Sequence, residues 1–216
     1  MTADGPARYI AVEGPIGVGK TALARRLAEE FGSRLVLEDV DENRFLQSFY
    51  EEPRRYAFHV QVEFLLGRYR QQRELAAEGH GEHGVVSDYL FAKDGIFAGV
   101  TLGEGEMHLY RQLFRLLDAE IPRPDLVVYL EARPDVLQKR IRKRARDYER
   151  GITPDYLERL TDAFRQFFYE YTDAPLLVVN CSEIDFVESE GELADLVKEV
   201  QSMKQGVQHY IPLGSS

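Results

Sequence analysis

The sequence contains one cysteine, Cys181, among its 216 residues. A single thiol excludes an intrachain disulfide framework and is typical of proteins of the reducing cytosol. No apolar run approaches the roughly 20 residues that a membrane span needs, and residues 1–8 lack the apolar core of a signal peptide. We therefore expect a cytoplasmic protein that does not interact with a membrane.

Basic residues are in the minority. The chain has 27 lysines and arginines against 37 aspartates and glutamates, which gives a formal net charge of −10. This balance argues against a general nucleic-acid binder. The 44% hydrophobic and 30% charged content is that of a globular protein with a full-sized core. Because we find neither an internal repeat nor a linker, residues 1–216 are predicted to form a single domain.

A glycine-rich stretch near the start of the chain is the most informative motif. Residues 8–13 have the apolar character of a buried strand, and residues 21–31 repeat apolar side chains at helical spacing. Between these segments lies a match to G-x-x-x-x-G-K-[ST], made of Gly14, Pro15, Ile16, Gly17, Val18, Gly19, Lys20 and Thr21. Such a loop cradles phosphates on backbone N–H groups, with Lys20 on the terminal phosphates and Thr21 on Mg²⁺. The alternative is a chance glycine-rich turn, which the flanking strand and helix disfavour.

Further apolar runs alternate with helical patterns along the rest of the chain. Four of them are predicted as strands, at residues 34–37, 85–87, 126–130 and 176–179. This alternation predicts an α/β fold of the P-loop kinase type, with a five-stranded parallel sheet and helices on both faces. The segment from His209 onward is predicted to be a tail. Functional groups are expected beyond the carboxyl ends of the strands.

Two acidic residues directly follow predicted strands. Glu38 comes after the second strand and Asp88 after the third. If both strands flank the first, the two carboxylates face the phosphate loop from either side. One could then take a proton from an acceptor hydroxyl, and the other could help to hold Mg²⁺. A helix N-cap or a solvated loop is an equally good explanation for either acid alone.

Gln61 and Arg68 lie seven residues apart on a predicted long helix, so their side chains share a face. An amide both donates and accepts hydrogen bonds, and can therefore read the edge of a nucleobase. The alternative interpretation is a polar stripe that faces water.

Basic residues are crowded into one short segment. Seven of the 27 fall between positions 139 and 150, namely Lys139, Arg140, Arg142, Lys143, Arg144, Arg146 and Arg150. In an acidic protein such crowding indicates an anionic partner. Arginines on a movable segment above a phosphate loop would stabilise charge on a transferred phosphoryl group. A solvated basic face or a nucleic-acid patch is the alternative.

Taken together and in this order, the motifs resemble those of deoxynucleoside kinases of the thymidine kinase-like group, in particular bacterial deoxyadenosine and deoxyguanosine kinases. The resemblance extends from residue 9 to about residue 186. It implies transfer of the γ-phosphoryl group of ATP, with Mg²⁺, to the 5′-hydroxyl of deoxyadenosine, deoxyguanosine or deoxycytidine in nucleotide salvage. It also implies a homodimer formed through helices between the first and third strands.

The resemblance assigns a set of residues to the nucleoside: Glu38, Tyr50, Gln61, Arg68, Asp94, Phe97 and Glu149. Within this set, Glu38 matches the general base on the 5′-hydroxyl. Tyr50 and Glu149 match contacts to the sugar 3′-hydroxyl. Gln61 matches the residue that pairs with the base, and Arg68 works there with Asp94, which we expect at the mouth of the site.

On the phosphate-donor side, the resemblance identifies an arginine-rich lid at about residues 140–152. Its members Arg140, Arg144 and Arg146 match groups that clamp the phosphates. Asp185 and Phe186 match a loop that packs against the adenine of ATP.

One position departs from the family pattern. The family commonly has an acid followed by Arg-Ser after the third strand, whereas here Tyr89 and Leu90 follow Asp88. The arginine that steadies the base and the phosphates is therefore missing, and Lys93 in the next helix could supply its charge. Two other functions stay open. A nucleoside monophosphate kinase shares the loop and lid but binds a second phosphate, and a nucleotide-binding regulator would bind ATP without turnover.

Overall fold

A parallel sheet forms the centre of the computed structural model, which describes residues 8–183 and 190–211. The strands of this described part are β1 (Tyr9–Glu13), β2 (Arg34–Val36), β3 (Val85–Ser87), β4 (Leu126–Glu131), β5 (Leu176–Asn180) and β6 (Val207–Tyr210). Their order across the sheet is β2-β3-β1-β4-β5-β6, and every neighbouring pair is parallel. The α/β fold with a parallel sheet is thus confirmed.

Helices connect the strands and cover the sheet. They are α1 (Lys20–Phe31), α2 (Leu46–Glu51), α3 (Pro53–Glu78), α4 (Lys93–Thr101), α5 (Glu104–Asp118), α6 (Pro134–Arg144), α7 (Pro154–Tyr169) and α8 (Glu190–Ser202), with a 3₁₀ turn at Asp147–Gly151. Prolines begin α3, α6 and α7, where the missing N–H would have had no helical partner. Within the described ranges, no helix is both long and apolar enough to cross a bilayer.

Alternation along the strands divides the core into two layers. Val12 and Val128 face a layer formed by α1, α6 and α8, where Leu27 is fully buried. Their neighbours Ala11 and Val127 face the opposite layer, to which α3, α4 and α7 contribute. Successive strand residues point to opposite faces, and both faces are covered, so the strands are continuous apolar runs. Each fully buried aliphatic side chain contributes about 1.5–3 kcal/mol.

The prediction of five strands is wrong because the expected tail forms β6. This strand pairs with β5, with Leu176 opposite Val207 and Val179 opposite Tyr210. It lies at the edge of the sheet, where Val207 and His209 are exposed and the alternate residues are half-buried. An edge strand covered on one face needs no continuous apolar run, and this one is too short and polar to stand out in the sequence.

The second and third strands do not both flank the first, so the condition for carboxylates on either side of the phosphate loop is not met. β3 lies beside β1, but β2 pairs with the far side of β3. Glu38 and Asp88 therefore come from adjacent strands on the same side of β1. Strand order depends on pairing between distant segments, which the local pattern does not specify.

Gly14 shows why the phosphate loop requires glycine. Its φ is 153°, and a Cβ atom at this position would lie 2.3 Å from the carbonyl oxygen of Leu130. That oxygen belongs to the backbone of β4 and cannot move away without disturbing the sheet. The loop thus passes directly over the central strands.

We expect Gly14→Ala to lower the free energy of unfolding by about 2–3 kcal/mol, because the methyl group collides with a fixed backbone. Urea unfolding followed by circular dichroism measures the change. The matched control is Gly191→Ala in α8, where a Cβ would have no neighbour within 4 Å. Equal midpoints for the two variants would contradict the close approach of Gly14 to β4.

Candidate active site

A cavity of about 280 Å³ opens where β1, β2 and β3 end. Its wall includes residues of the phosphate loop, the segment after β2, one face of α3, and the segment that follows α6. Predicted site residues in this wall are Ile16, Gly17, Lys20, Thr21, Glu38, Tyr50, Gln61, Arg68, Asp88, Phe97, Arg144, Arg146 and Glu149. Residues assigned to donor phosphates and to the acceptor nucleoside thus border one cavity.

The phosphate loop is held in place from below. The carboxylate of Glu13, at the end of β1, accepts hydrogen bonds from the backbone N–H of Gly14 at 2.8 Å and of Leu90 at 2.7 Å. Burial raises the pKa of Glu13, and Lys93 and Lys20 oppose that rise. These hydrogen bonds were not predicted, because Glu13 is the last residue of an otherwise apolar strand.

Lys20 curls back over its own loop. Its ammonium group donates to the carbonyl oxygen of Gly14 at 2.7 Å and to that of Pro15 at 3.2 Å. Burial and, after it, the charge of Lys93 lower the pKa of Lys20 to about 8, against the opposing effect of Glu13 and other carboxylates. These two hydrogen bonds go to neutral carbonyl groups, so an anionic phosphate at this position would give the ammonium group a charged partner.

Thr21 and Asp88 offer oxygen atoms suited to Mg²⁺. The Thr21 hydroxyl donates to Asp88 Oδ2 at 2.6 Å, and Asp88 Oδ1 accepts the backbone N–H of Glu38 at 2.7 Å. Protein sites for Mg²⁺ commonly use one or two such oxygens and complete the shell with water and substrate phosphates. The chemistry of this pair fits that ion.

Glu38 lies between two cations. Arg68 Nε donates to its Oε1 at 2.7 Å, and Lys93 Nζ donates to its Oε2 at 2.7 Å. Burial alone would raise the pKa of Glu38, but the charges of Arg68 and Lys93 outweigh it and lower the pKa to about 2. The carboxylate is therefore ionised throughout the physiological range.

Arg68 also forms an ion pair with Asp94, whose other oxygen accepts the Tyr110 hydroxyl at 2.8 Å. Asp94 is fully buried and does not border the cavity. The expectation that Asp94 lies at the mouth of the site is wrong. The first two residues of α4 are buried, and Asp94 pairs there with Arg68 inside the protein. Tyr110, Asp94, Arg68 and Glu38 form one continuous buried chain.

Gln61 lies in the cavity wall, and its amide has a buried acceptor atom without a protein partner among the described residues. Its Nε2 donates to the Thr101 hydroxyl at 3.2 Å, and the buried acceptor is its Oε1. Phe97, in the same cavity wall, is fixed edge-on against Phe164 at 5.8 Å between ring centroids. A buried acceptor without a partner is suited to a ligand N–H group.

The segment after α6 closes one side of the cavity. Arg144 Nε donates to the buried carboxylate of Glu149 at 3.2 Å. Arg146 donates to the Tyr148 hydroxyl at 2.6 Å, and the Tyr148 ring stacks on Tyr50 at 6.4 Å. Burial raises the pKa of Tyr50, so its hydroxyl remains a hydrogen-bond donor.

Arg140 is separate from the other predicted lid arginines. It does not border the cavity, and its guanidinium donates to the carbonyl oxygens of Val18 at 3.3 Å and Cys181 at 3.0 Å. It thus joins α6 to the phosphate loop and to the end of β5. Asp185 and Phe186 lie outside the described residues.

Four aromatic residues of the cavity wall were not predicted: Phe49, Phe64, Tyr148 and Tyr156. Phe64 was detectable in principle, because it lies three residues after Gln61 and four before Arg68, on the same face of α3. Its ring lies 4.8 Å from the Arg68 guanidinium carbon. Tyr148 and Tyr156 reach the cavity only through the path of the chain after α6, which no local pattern encodes.

The sequence of this chain matches a known protein family and several of its members. The family model described as deoxynucleoside kinase matches residues 10–205. A deoxyguanosine kinase of Bacillus subtilis is 32% identical over 91% of this chain and 98% of its own length. A deoxyadenosine kinase of Dictyostelium discoideum is 33% identical over 91% of this chain and 80% of its own length.

A similar fold occurs in a solved structure. The structure of deoxyadenosine kinase from M. mycoides with bound dATP superposes on this chain with a TM-score of 0.79 and 23% sequence identity. The superposition covers 90% of this chain and 100% of the other.

We expect Asp94→Asn to lower the free energy of unfolding by at least about 3 kcal/mol, because it removes a negative partner from the buried guanidinium of Arg68. Urea unfolding of the two proteins measures the loss. The matched control is Asp195→Asn, which breaks the exposed ion pair with Lys198 and leaves the midpoint unchanged. A wild-type midpoint for Asp94→Asn would mean that the ionic chain does not stabilise the fold.

Proposed function

The chain belongs to the deoxynucleoside kinase family, and from this premise we propose how its residues phosphorylate a deoxynucleoside. The protein is an enzyme of that family, in which ATP is the phosphate donor and nucleotide salvage is the role. One observation carries the proposal: the ionised Glu38 borders the same cavity as Lys20 and Thr21 of the phosphate loop. An acceptor hydroxyl and a terminal phosphate can therefore meet there.

Glu38 acts as the base on the acceptor. The nucleoside 5′-hydroxyl donates to its carboxylate, and the hydroxyl oxygen attacks the γ-phosphorus of ATP. As the new P–O bond forms, the bond to ADP breaks, and the proton passes to Glu38. The transition state of phosphoryl transfer is loose, so the hydroxyl loses its proton late, and position and ionisation matter more than base strength.

Lys20, Arg144 and Arg146 neutralise the phosphates, and Arg140 steadies the loop that carries Lys20. Thr21 and Asp88 would hold Mg²⁺, which would supply positive charge to neutralise the phosphates. Residues 140–152 act as a lid on the single domain formed by residues 1–216. Asp185 and Phe186 remain predicted contacts to the adenine of ATP.

The nucleoside lies along α3. Gln61 Oε1 accepts an N–H group of the base, Phe97 packs beside it, and Tyr50 and Glu149 bind the sugar 3′-hydroxyl. Arg68 orients Glu38, and Asp94 orients Arg68. The named relatives are kinases of deoxyguanosine and of deoxyadenosine, and we assign this chain to one or more of deoxyguanosine, deoxyadenosine and deoxycytidine, the three substrates that the resemblance implies.

We further propose that the enzyme is a cytoplasmic homodimer. Leu66 on α3 is 44% exposed, and Leu109 and Leu116 on α5 are 48% and 70% exposed. Large apolar side chains on adjacent helices support an interface between two copies. α5 follows β3, so this interface extends beyond the helices expected from the resemblance. The single thiol, Cys181, is buried and free, which suits a reducing compartment.

Replacement of Glu38 by glutamine tests the base. We expect Glu38→Gln to lower kcat about 10²–10⁴-fold while ATP binding persists, because the amide cannot accept the proton. Steady-state kinetics with ATP and a deoxynucleoside measure the loss, and Glu42→Gln, an exposed acid four residues on, is the control. Near-normal turnover of Glu38→Gln would rule out this role.

The same assay tests the alternative function: if the wild-type enzyme preferred a deoxynucleoside monophosphate to a deoxynucleoside as acceptor, it would be a monophosphate kinase.

A panel of four deoxynucleosides tests the base contact. We expect Gln61→Ala to lower kcat/KM for the best substrate at least about tenfold and to flatten the ranking, because a lost amide contact leaves polar groups unpaired at about 1–3 kcal/mol each. KM for ATP should stay nearly constant. An unchanged ranking would show that this face of α3 does not read the base.

A further inference from the structure

Lys93 is a buried cation in the cavity wall. It is the first residue of α4, is only 2% exposed, and places its Nζ 2.7 Å from Glu38 Oε2. Lysine is almost never buried unless it is paired, and here the partner is the acceptor base itself. Lys20 and Thr21 of the phosphate loop border the same cavity.

The two oxygens of Glu38 are held in unlike ways. Oε1 is held by Arg68, a planar guanidinium that is itself fixed by Asp94, and Asp94 is fixed by Tyr110. Oε2 is held by Lys93, a point charge on a flexible four-carbon stem. An incoming hydroxyl can therefore replace the donor on Oε2 far more readily than the donor on Oε1.

Tyr89, the residue after Asp88, contributes no charge near the Glu38 carboxylate. Tyr89 is fully buried, its hydroxyl accepts a hydrogen bond from Gln72 Nε2 at 3.0 Å, and it does not border the cavity. The centroid of its ring lies 5.9 Å from Lys93 Nζ, so the ring forms part of the surroundings of that ammonium group. On this side of Glu38 the positive charge is supplied by Lys93.

We propose that Lys93 exchanges partners during the reaction: it yields Glu38 Oε2 to the acceptor 5′-hydroxyl and then contacts the transferred phosphoryl group. The inference rests on the proposed function. The hydroxyl proton moves to Oε2, the hydroxyl oxygen forms the bond to the γ-phosphorus, and the bond to the departing ADP breaks. The freed ammonium group offsets negative charge on the transferred oxygens, and Arg68 keeps Glu38 in place through Oε1.

Three substitutions separate charge from packing. Lys93→Met keeps the length of the side chain, Lys93→Gln keeps a hydrogen-bond donor, and Lys93→Arg keeps the charge. We expect Met and Gln to lower kcat about 10²-fold with KM for ATP nearly unchanged, and Arg to recover at least about tenfold of that loss. The control is Lys198→Met, which breaks an exposed ion pair with the same 2.7 Å separation and leaves kcat unchanged.

Kinetics with ATP, Mg²⁺ and the best deoxynucleoside decide the matter, with circular dichroism to verify the fold of each variant. The proposal is overturned if kcat of Lys93→Gln equals that of the wild type, or if kcat of Lys93→Arg is no higher than that of Lys93→Gln. Neither comparison uses Lys93→Met, so the test remains valid if that variant does not fold. Failure of the proposed function is distinguishable, because the wild type itself would then phosphorylate none of the deoxynucleosides.

Discussion

The compensation of buried charge around Glu38 is the constraint on which the site depends. Arg68, Asp94 and Lys93 are buried and the Glu38 side chain is 12% exposed, and a buried charge costs several kcal/mol if it is left without a partner. Their pairing requires the end of β2 and the helices α3 and α4 to meet at one point, and Tyr110 adds α5 to the same junction. The arrangement that stabilises the fold thereby also fixes the direction of the Glu38 carboxylate, the proposed base.

Asp88 connects this group of charged residues to the phosphate loop by hydrogen bonds. The carboxylate of Asp88 accepts the Thr21 hydroxyl on one oxygen and the backbone N–H of Glu38 on the other. Because β2 and β3 are neighbours on one side of β1, a single short side chain spans from the loop to the base segment. The observed strand order therefore explains how the groups proposed for donor and acceptor come within reach of one cavity.

Sequence patterns predicted the features that depend on neighbours along the chain. The phosphate loop and the four later apolar runs are local, and Gln61 and Arg68 share a face because helical spacing is fixed. The edge strand β6, the order of the sheet and the burial of Asp94 depend on contacts between distant segments, which local periodicity does not encode. Lys93 stood out only because Tyr89 follows Asp88, and its pairing with Glu38 needed the tertiary structure.

The cations of the site share one property that bears on catalysis. Lys20 donates to carbonyl groups of its own loop, Lys93 pairs with Glu38, and Arg144 pairs with Glu149. A bound phosphate would thus replace an existing partner of each cation; Lys93 is buried, whereas Lys20 is half-buried and Arg144 is exposed. In the proposed roles, a phosphate at Arg144 and a sugar hydroxyl at Glu149 would each replace one partner of the same ion pair. Occupation of the proposed donor and acceptor sites would then be coupled through these two side chains.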